Sequence, residues 1–170
     1  MRNPKSIELL NKAVADELSA VHQYMYFHFH CDDLGYDLLA NLFKRTAVEE
    51  MLHVERLAER ILFLGGDVDM KLAGAVSQEQ DPEVMLKMAA KMESESAAEY
   101  NVWANQCATP ENADAATRKL FEELVADEER HFDQYDQEID NIKRFGERYL
   151  ALQSIERSRG RDAGGAGAGE

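Results

Sequence analysis

Six acidic and imidazole residues stand on helical stripes that are otherwise apolar: Glu17, Glu50, His53, Glu93, Glu128 and His131. A buried carboxylate is costly unless it is paired or coordinates a metal. Four carboxylates converging on one core repel one another, and a pair of divalent or trivalent cations removes that repulsion. Glu50 and His53 are three residues apart, as are Glu128 and His131. That spacing puts both members of a pair on one helix face, so both can reach one ion. By spacing alone, the remaining Glu17 and Glu93 are free to bridge the two ions. Hard carboxylate oxygens with imidazole suit iron or manganese, and zinc also fits. One Glu-x-x-His occurs often on solvated faces, whereas two, each preceded by a Glu-bearing helix, form a specific signal. Glu49 and Asp127 stand four residues before His53 and His131 and also share their faces. The apolar stripes select Glu50 and Glu128.

Four long helical segments must position these residues. The first runs from about Ser6, read as its N-cap, to about Asp33, with the stripe Leu10, Val14, Glu17, Val21, Tyr24, His28. Pro4 is read as preceding it. The second runs from about Asp37 to Leu64 and stops at Gly65-Gly66. Asp81-Pro82 is an N-cap followed by a first-turn proline and opens the third. The fourth begins near Asn112 and ends at Gly146. Steps of three and four residues are what one helix face requires. Short connections make the first and second segments one antiparallel hairpin, and the third and fourth another. Roughly fifteen residues, Gly65 to Gln80, join the hairpins, and a connection that long suits a crossover along the bundle. A short fifth helix is expected over about 147–158. Residues 1–158 are read as one all-α domain, an antiparallel four-helix bundle with a long second-to-third crossover, and 159–170 as a disordered Gly/Ala-rich tail.

The two hairpins repeat the same polar set. Glu17 and Glu50 are 33 residues apart, Glu93 and Glu128 35 apart, which suggests a site on a pseudo-two-fold axis. The set resembles the ligand pattern of di-iron carboxylate bundles: one Glu from each of two helices and Glu-x-x-His from each of the others.

Composition narrows the function classes. The 170 residues fit one domain with a substantial core, and a net charge of −14 argues against nucleic acid as a partner. An acidic surface attracts cations instead. No run approaches membrane-spanning length, and the opening MRNPKSIELL lacks an apolar signal core. Cys31 and Cys107 suit a reducing cytosol, so a cytoplasmic location is expected. If the first and third helices are antiparallel, the two cysteines lie at opposite ends and form no intrachain disulfide. His28 is read as a satisfied core histidine in preference to part of an iron route.

Glu17-Leu-Ser-Ala-Val-His-Gln-Tyr24, Glu50-Met-Leu-His53, Glu59-Arg-Ile-Leu-Phe-Leu-Gly65 and Asp127-Glu-Glu-Arg-His131 resemble bacterioferritin segments, and the likeness covers about residues 5–158. The resemblance implies a ferritin-like bundle whose ferroxidase ligands are Glu17, Glu50, His53, Glu93, Glu128 and His131. In it Glu50 and Glu128 bridge the metals, which differs from the reading by spacing. Tyr24 matches a tyrosine beside the di-iron site. Glu93 is assigned by its spacing from His53, with Glu95 as a rival. Met51 stands where the family supplies a haem ligand from each of two subunits. Following Glu50 directly, Met51 turns about 100° from the metal stripe. Two departures are Leu52, where a Lys often precedes the ligand histidine, and Arg45, where the family's inner-wall iron site uses a His.

The implied function is iron storage and detoxification. Fe(II) is oxidised by O2 or H2O2 at two iron ions per subunit, and Fe(III) mineral is kept in a homo-24-mer cage. A b-type haem at a subunit two-fold and a ferredoxin-type reductant for iron release are further implications. The rival readings are a di-metal peroxidase or catalase without storage and a DNA-protecting mini-ferritin. Mini-ferritins build their iron site between subunits, whereas the six ligands here belong to one chain.

Overall fold

A computed structural model of the chain describes residues 3–146, 148–152 and 155. It contains four long helices: α1 (Pro4–Asp33), α2 (Asp37–Phe63), α3 (Pro82–Gln106) and α4 (Ala115–Phe145). Residues 148–152 form a short further helical stretch, α5. The rest of the expected fifth helix, apart from residue 155, and the 159–170 tail lie outside the described residues.

The helix ends correct the sequence reading in two places. Asn3, not Ser6, caps α1: its side chain accepts from the Ser6 backbone N–H, and Pro4 lies inside the first turn. Proline is tolerated there because its missing N–H would have had no helical partner. The fourth helix starts at Ala115, not near Asn112, because Asp114 accepts from the Thr117 N–H as its cap. Asp81 caps α3 as expected, accepting from the N–H groups of Glu83 and Val84.

Ser6 has another task. Its hydroxyl donates to Asp114 Oδ2 at 2.8 Å, and Arg60 Nη2 lies 2.6 Å from Asp114 Oδ1. One buried carboxylate therefore ties the beginnings of α1 and α4 to the end of α2.

The principal packing is α1 on α2 and α3 on α4. The apolar core falls into two parts with the polar residues between them. One gathers Tyr24, Phe27, Leu39, Phe43, Met85, Leu86 and Tyr135, with Tyr149 and Leu150 packed against it. The other gathers Leu9, Leu10, Val14, Leu57, Ile61, Tyr100, Phe121 and Leu124. Each fully buried Leu or Phe contributes about 1.5–3 kcal/mol relative to exposure. Cys31 lies in the first part and Cys107 in the second, both as free thiols, so they do occupy opposite ends.

The crossover from α2 to α3 runs along α1, which supplies its hydrogen bonds. Asn11 donates to the Asp67 carbonyl and accepts from the Asp69 N–H. Ser19 Oγ accepts from the Ala73 N–H at 2.8 Å. Gln23 accepts from the Ser77 N–H at 2.7 Å and donates back to the Ser77 carbonyl at 3.0 Å. Backbone polar groups without regular structure are thus satisfied by side chains of one helix. At the start of the crossover Gly66 approaches α1 closely: a Cβ there would meet Ile7 Cγ2 at 2.8 Å.

Candidate metal centre

The six residues selected from the sequence are all buried, and they meet between the two apolar parts of the core. Their potential ligand atoms form two groups, each with all atoms within 4.8 Å of one another. One group is Glu17, Glu50, His53 and Glu128; the other is Glu50, Glu93, Glu128 and His131. Glu50 and Glu128 belong to both groups. The spacing argument that left Glu17 and Glu93 to bridge is therefore corrected: each of those residues belongs to one half only. Of the two acids weighed on α3, Glu93 is in the core, while Glu95 is exposed with its carboxylate 3.6 Å from Lys91.

The shared carboxylates face both histidines. Glu50 places Oε2 at 2.8 Å from His53 Nδ1 and Oε1 at 3.1 Å from His131 Nδ1. Glu128 places Oε1 at 3.3 Å from His53 Nδ1 and Oε2 at 3.6 Å from His131 Nδ1. Glu17 approaches only His53, at 3.4 Å, and Glu93 only His131, at 3.5 Å. The two imidazole rings stack with centroids 5.9 Å apart. Both oxygens of Glu50, one of Glu128 and both Nδ1 atoms are buried without an aligned hydrogen bond. A folded core rarely leaves so many polar atoms unsatisfied. Five such atoms converging on one point fit a pair of cations.

Each ligand that serves one half is held by a residue of another helix. The Tyr24 hydroxyl on α1 donates to Glu93 on α3, and the Tyr100 hydroxyl on α3 donates to Glu17 on α1. Both tyrosines lie seven residues beyond the glutamate of their own helix. Sequence reasoning named Tyr24 and missed Tyr100, although the equal spacing was visible. The histidines are held at their outer nitrogens. Glu49 Oε2 lies 2.8 Å from His131 Nε2, and Asp127 Oδ2 lies 3.3 Å from His53 Nε2. Glu49 and Asp127 thus serve the histidine of the opposite helix. A carboxylate on one ring nitrogen orients the imidazole and leaves the other nitrogen for a metal.

Electrostatics follow from this crowding. Burial pushes the Glu17 carboxyl well above its ordinary value, and the Glu50 charge adds to the effect. Burial and Glu50 raise Glu93 in the same way. Burial also opposes charge at Glu50, but His131 and His53 outweigh it and hold this carboxyl below its ordinary value. At Glu128 burial is likewise outweighed, by the neighbouring Glu93, His131 and His53, and the carboxyl is held below its ordinary value. Burial disfavours the His53 imidazolium, yet Glu128, Glu17 and Glu50 push it up to about 12. His131 is raised against burial by Glu128, Glu50 and Glu93. Proton affinity is thus raised at Glu17, Glu93 and the two histidines and lowered at the shared Glu50 and Glu128.

Met51 lies outside this cluster. It is 52% exposed on α2, beside exposed Val48 and Leu52. Arg45 is exposed on the same helix. His28 is half-buried with Nδ1 at 2.9 Å from the Ala40 carbonyl, so it is satisfied within the fold.

No helix among the described residues is long and apolar enough to cross a membrane. The chain matches the ferritin-like domain family over residues 7–145. It is 39% identical over 150 residues to the bacterioferritin of Desulfovibrio desulfuricans, covering 88% of this chain and 83% of that protein. It is 34% identical over 152 residues to the bacterioferritin of Brucella melitensis, covering 89% and 93%. The D. desulfuricans bacterioferritin structure, described with its diiron site in different catalytic states, superposes with a TM-score of 0.86 at 38% identity, covering 90% of this chain and 88% of that one. The Rhodobacter capsulatus bacterioferritin, described with a metal-free dinuclear site and haem iron in a crystallographic special position, superposes with a TM-score of 0.85 at 30% identity, covering 91% and 96%. With its paired carboxylate and histidine set inside a ferritin-like bundle, this chain belongs to the bacterioferritin family.

Proposed function

We infer that the chain stores iron, taking up Fe(II) as substrate at the six-residue centre and releasing Fe(III) to a mineral held in an oligomeric cage. The observation that carries this reading is the sharing of Glu50 and Glu128. Each directs one oxygen toward each histidine, as two ions side by side require. In this assignment Glu17 and His53 complete one half, and Glu93 and His131 the other. Bound iron supplies the redox change, with O2 or H2O2 as the electron acceptor. The protein's part is to hold the ions together, accept and release protons at Glu17, Glu93 and the two histidines, and keep the site dry between two apolar regions. Tyr24 and Tyr100 keep the carboxylates of Glu93 and Glu17 in place.

The resemblance to bacterioferritins extends the proposal. A cage of 24 copies, a ferredoxin-type reductant for iron release and a cytoplasmic location are its components. Haem is the second cofactor. An exposed thioether at Met51 within an apolar patch fits one axial ligand of a b-type haem, with a second copy supplying the other across a two-fold. Among the rivals, the di-metal peroxidase or catalase shares the site and differs in assembly. The mini-ferritin reading is disfavoured by a ligand set complete within one chain.

The test is iron uptake by metal-free protein. The parent binds about two Fe(II) per chain and oxidises them faster than buffer does. Glu50→Ala and Glu128→Ala each slow the fast phase by about tenfold or more. Unchanged fast oxidation in both variants removes the site assignment. A monodisperse monomer by light scattering, with and without iron, removes the cage and favours the di-metal enzyme.

A further inference from the structure

We propose that Arg130 is a positioning residue that couples the two halves of the metal centre by holding, with one guanidinium, the carboxylates behind both histidines. The proposal rests on the di-metal reading above and adds to it a residue that touches no ligand atom directed at the metals.

The geometry is specific. Arg130 Nη2 lies 2.6 Å from Glu49 Oε2, the same oxygen that meets His131 Nε2 at 2.8 Å. The same Nη2 lies 3.2 Å from Asp127 Oδ1, while the other oxygen of Asp127 lies 3.3 Å from His53 Nε2. Arg130 is thus one contact away from each outer carboxylate and two from each imidazole. Arg56 supports one arm only. Its Nη1 lies 3.5 Å from Asp127 Oδ2 and its Nη2 2.5 Å from Glu123, whereas the ion pairs of Glu49 are with Arg130 and His131.

The chain of contacts alternates between helices. Glu49, His53 and Arg56 belong to α2, and Glu123, Asp127, Arg130 and His131 to α4. Apolar side chains of the two helices share both parts of the core, with the Phe43 and Tyr135 rings 5.5 Å apart. The clasp adds a polar tie between them at the level of the histidines. Its side chains are a third to nearly half exposed, so its ion pairs are screened by water and add little to the stability of the fold. What they set is direction. A carboxylate held on Nε2 aims Nδ1 at the cation, and a carboxylate held by arginine cannot swing inward to become a ligand itself. Because one guanidinium holds both arms, filling either half fixes Arg130 and prepares the other half.

The experiment uses Co(II) alone as the probe, titrated into the full-length metal-free protein under argon, and reads affinity and the visible ligand-field bands. The parent takes up two Co(II) per chain in one steep phase. Arg130→Met weakens both ions by about tenfold and splits uptake into two phases, with altered bands for both. Arg56→Met weakens only one of the two. Arg118→Met, which removes an exposed pair with Glu122, leaves uptake as in the parent. Melting of the metal-free Arg130→Met protein stays at the parent's value, which separates positioning from a folding defect. Parent-like uptake and bands in Arg130→Met overturn the clasp while the di-metal reading stands. Weakening of one ion only in Arg130→Met, or of both in Arg56→Met, overturns the coupling. Fewer than two Co(II) per chain in the parent overturns the di-metal reading, and the clasp with it.

Discussion

The Tyr100 hydroxyl on α3 donates a hydrogen bond to Oε1 of Glu17 on α1. Tyr100 is fully buried between this carboxylate and an aromatic group, with Trp103 at 5.5 Å and Phe121 at 5.8 Å between ring centroids. The hydroxyl fixes Oε1 of Glu17, the oxygen that also lies 3.4 Å from His53 Nδ1. Tyr100→Phe keeps the ring packing and removes only that bond. The expected outcome is a loss of about 1 kcal/mol in urea unfolding and roughly tenfold weaker Zn(II) binding at one of two sites. Titration calorimetry against Tyr24→Phe, which frees Glu93 instead, shows whether the two tyrosines serve opposite halves.

Protonation of the metal-free centre sets its pH dependence. Glu17, Glu93, His53 and His131 all hold protons more tightly in the fold than when unfolded. Such groups contribute stability at low pH and lose it as pH rises above the unfolded values, near 4.5 for the carboxyls and 6.5 for the imidazoles. For His53 the loss continues toward about 12. Between pH 6.5 and 9 the metal-free protein therefore melts at progressively lower temperature, while divalent-metal affinity rises. Divalent ions displace protons from these groups as they bind. Calorimetry in buffers of different ionisation enthalpy counts them.

Asp114 shows the opposite sign. Burial opposes its charge, but Thr117, Ser6 and Arg60 hold its carboxyl below the ordinary 3.8. It contributes stability above that value and loses it as pH falls. Asp114→Ala removes the α4 cap and the partner of Arg60, and about 2 kcal/mol is expected to be lost at pH 7. The difference from the parent narrows on acidification below pH 3.8. Urea unfolding at pH 7 and in acid measures both.

The proposed haem ligand, Met51, can be tested separately from the metal centre. Met51→Leu keeps apolar volume and removes the thioether. With ample haem during expression, the parent carries about one haem per two chains with a six-coordinate spectrum. The variant lacks it and keeps fast Fe(II) oxidation. An unchanged haem spectrum in Met51→Leu rejects this residue as the ligand.

Periodicity along single helices was legible in the sequence. Three- and four-residue steps placed Glu17, Glu50, His53, Glu93, Glu128 and His131 on inward faces, because a residue's face depends only on its position along its own helix. The bundle and its crossover followed from stripe and loop lengths for the same local reason. Contacts between helices were decided only by the tertiary structure, because they depend on the relative rotation and rise of packed elements. That is why spacing alone gave the bridging role to Glu17 and Glu93, whereas the packed bundle places Glu50 and Glu128 between both histidines. Glu49 shares a face with His53 along α2, yet its carboxylate meets His131 on α4. Asn11, Ser19 and Gln23 read as ordinary polar residues of α1 until the crossover lies against them.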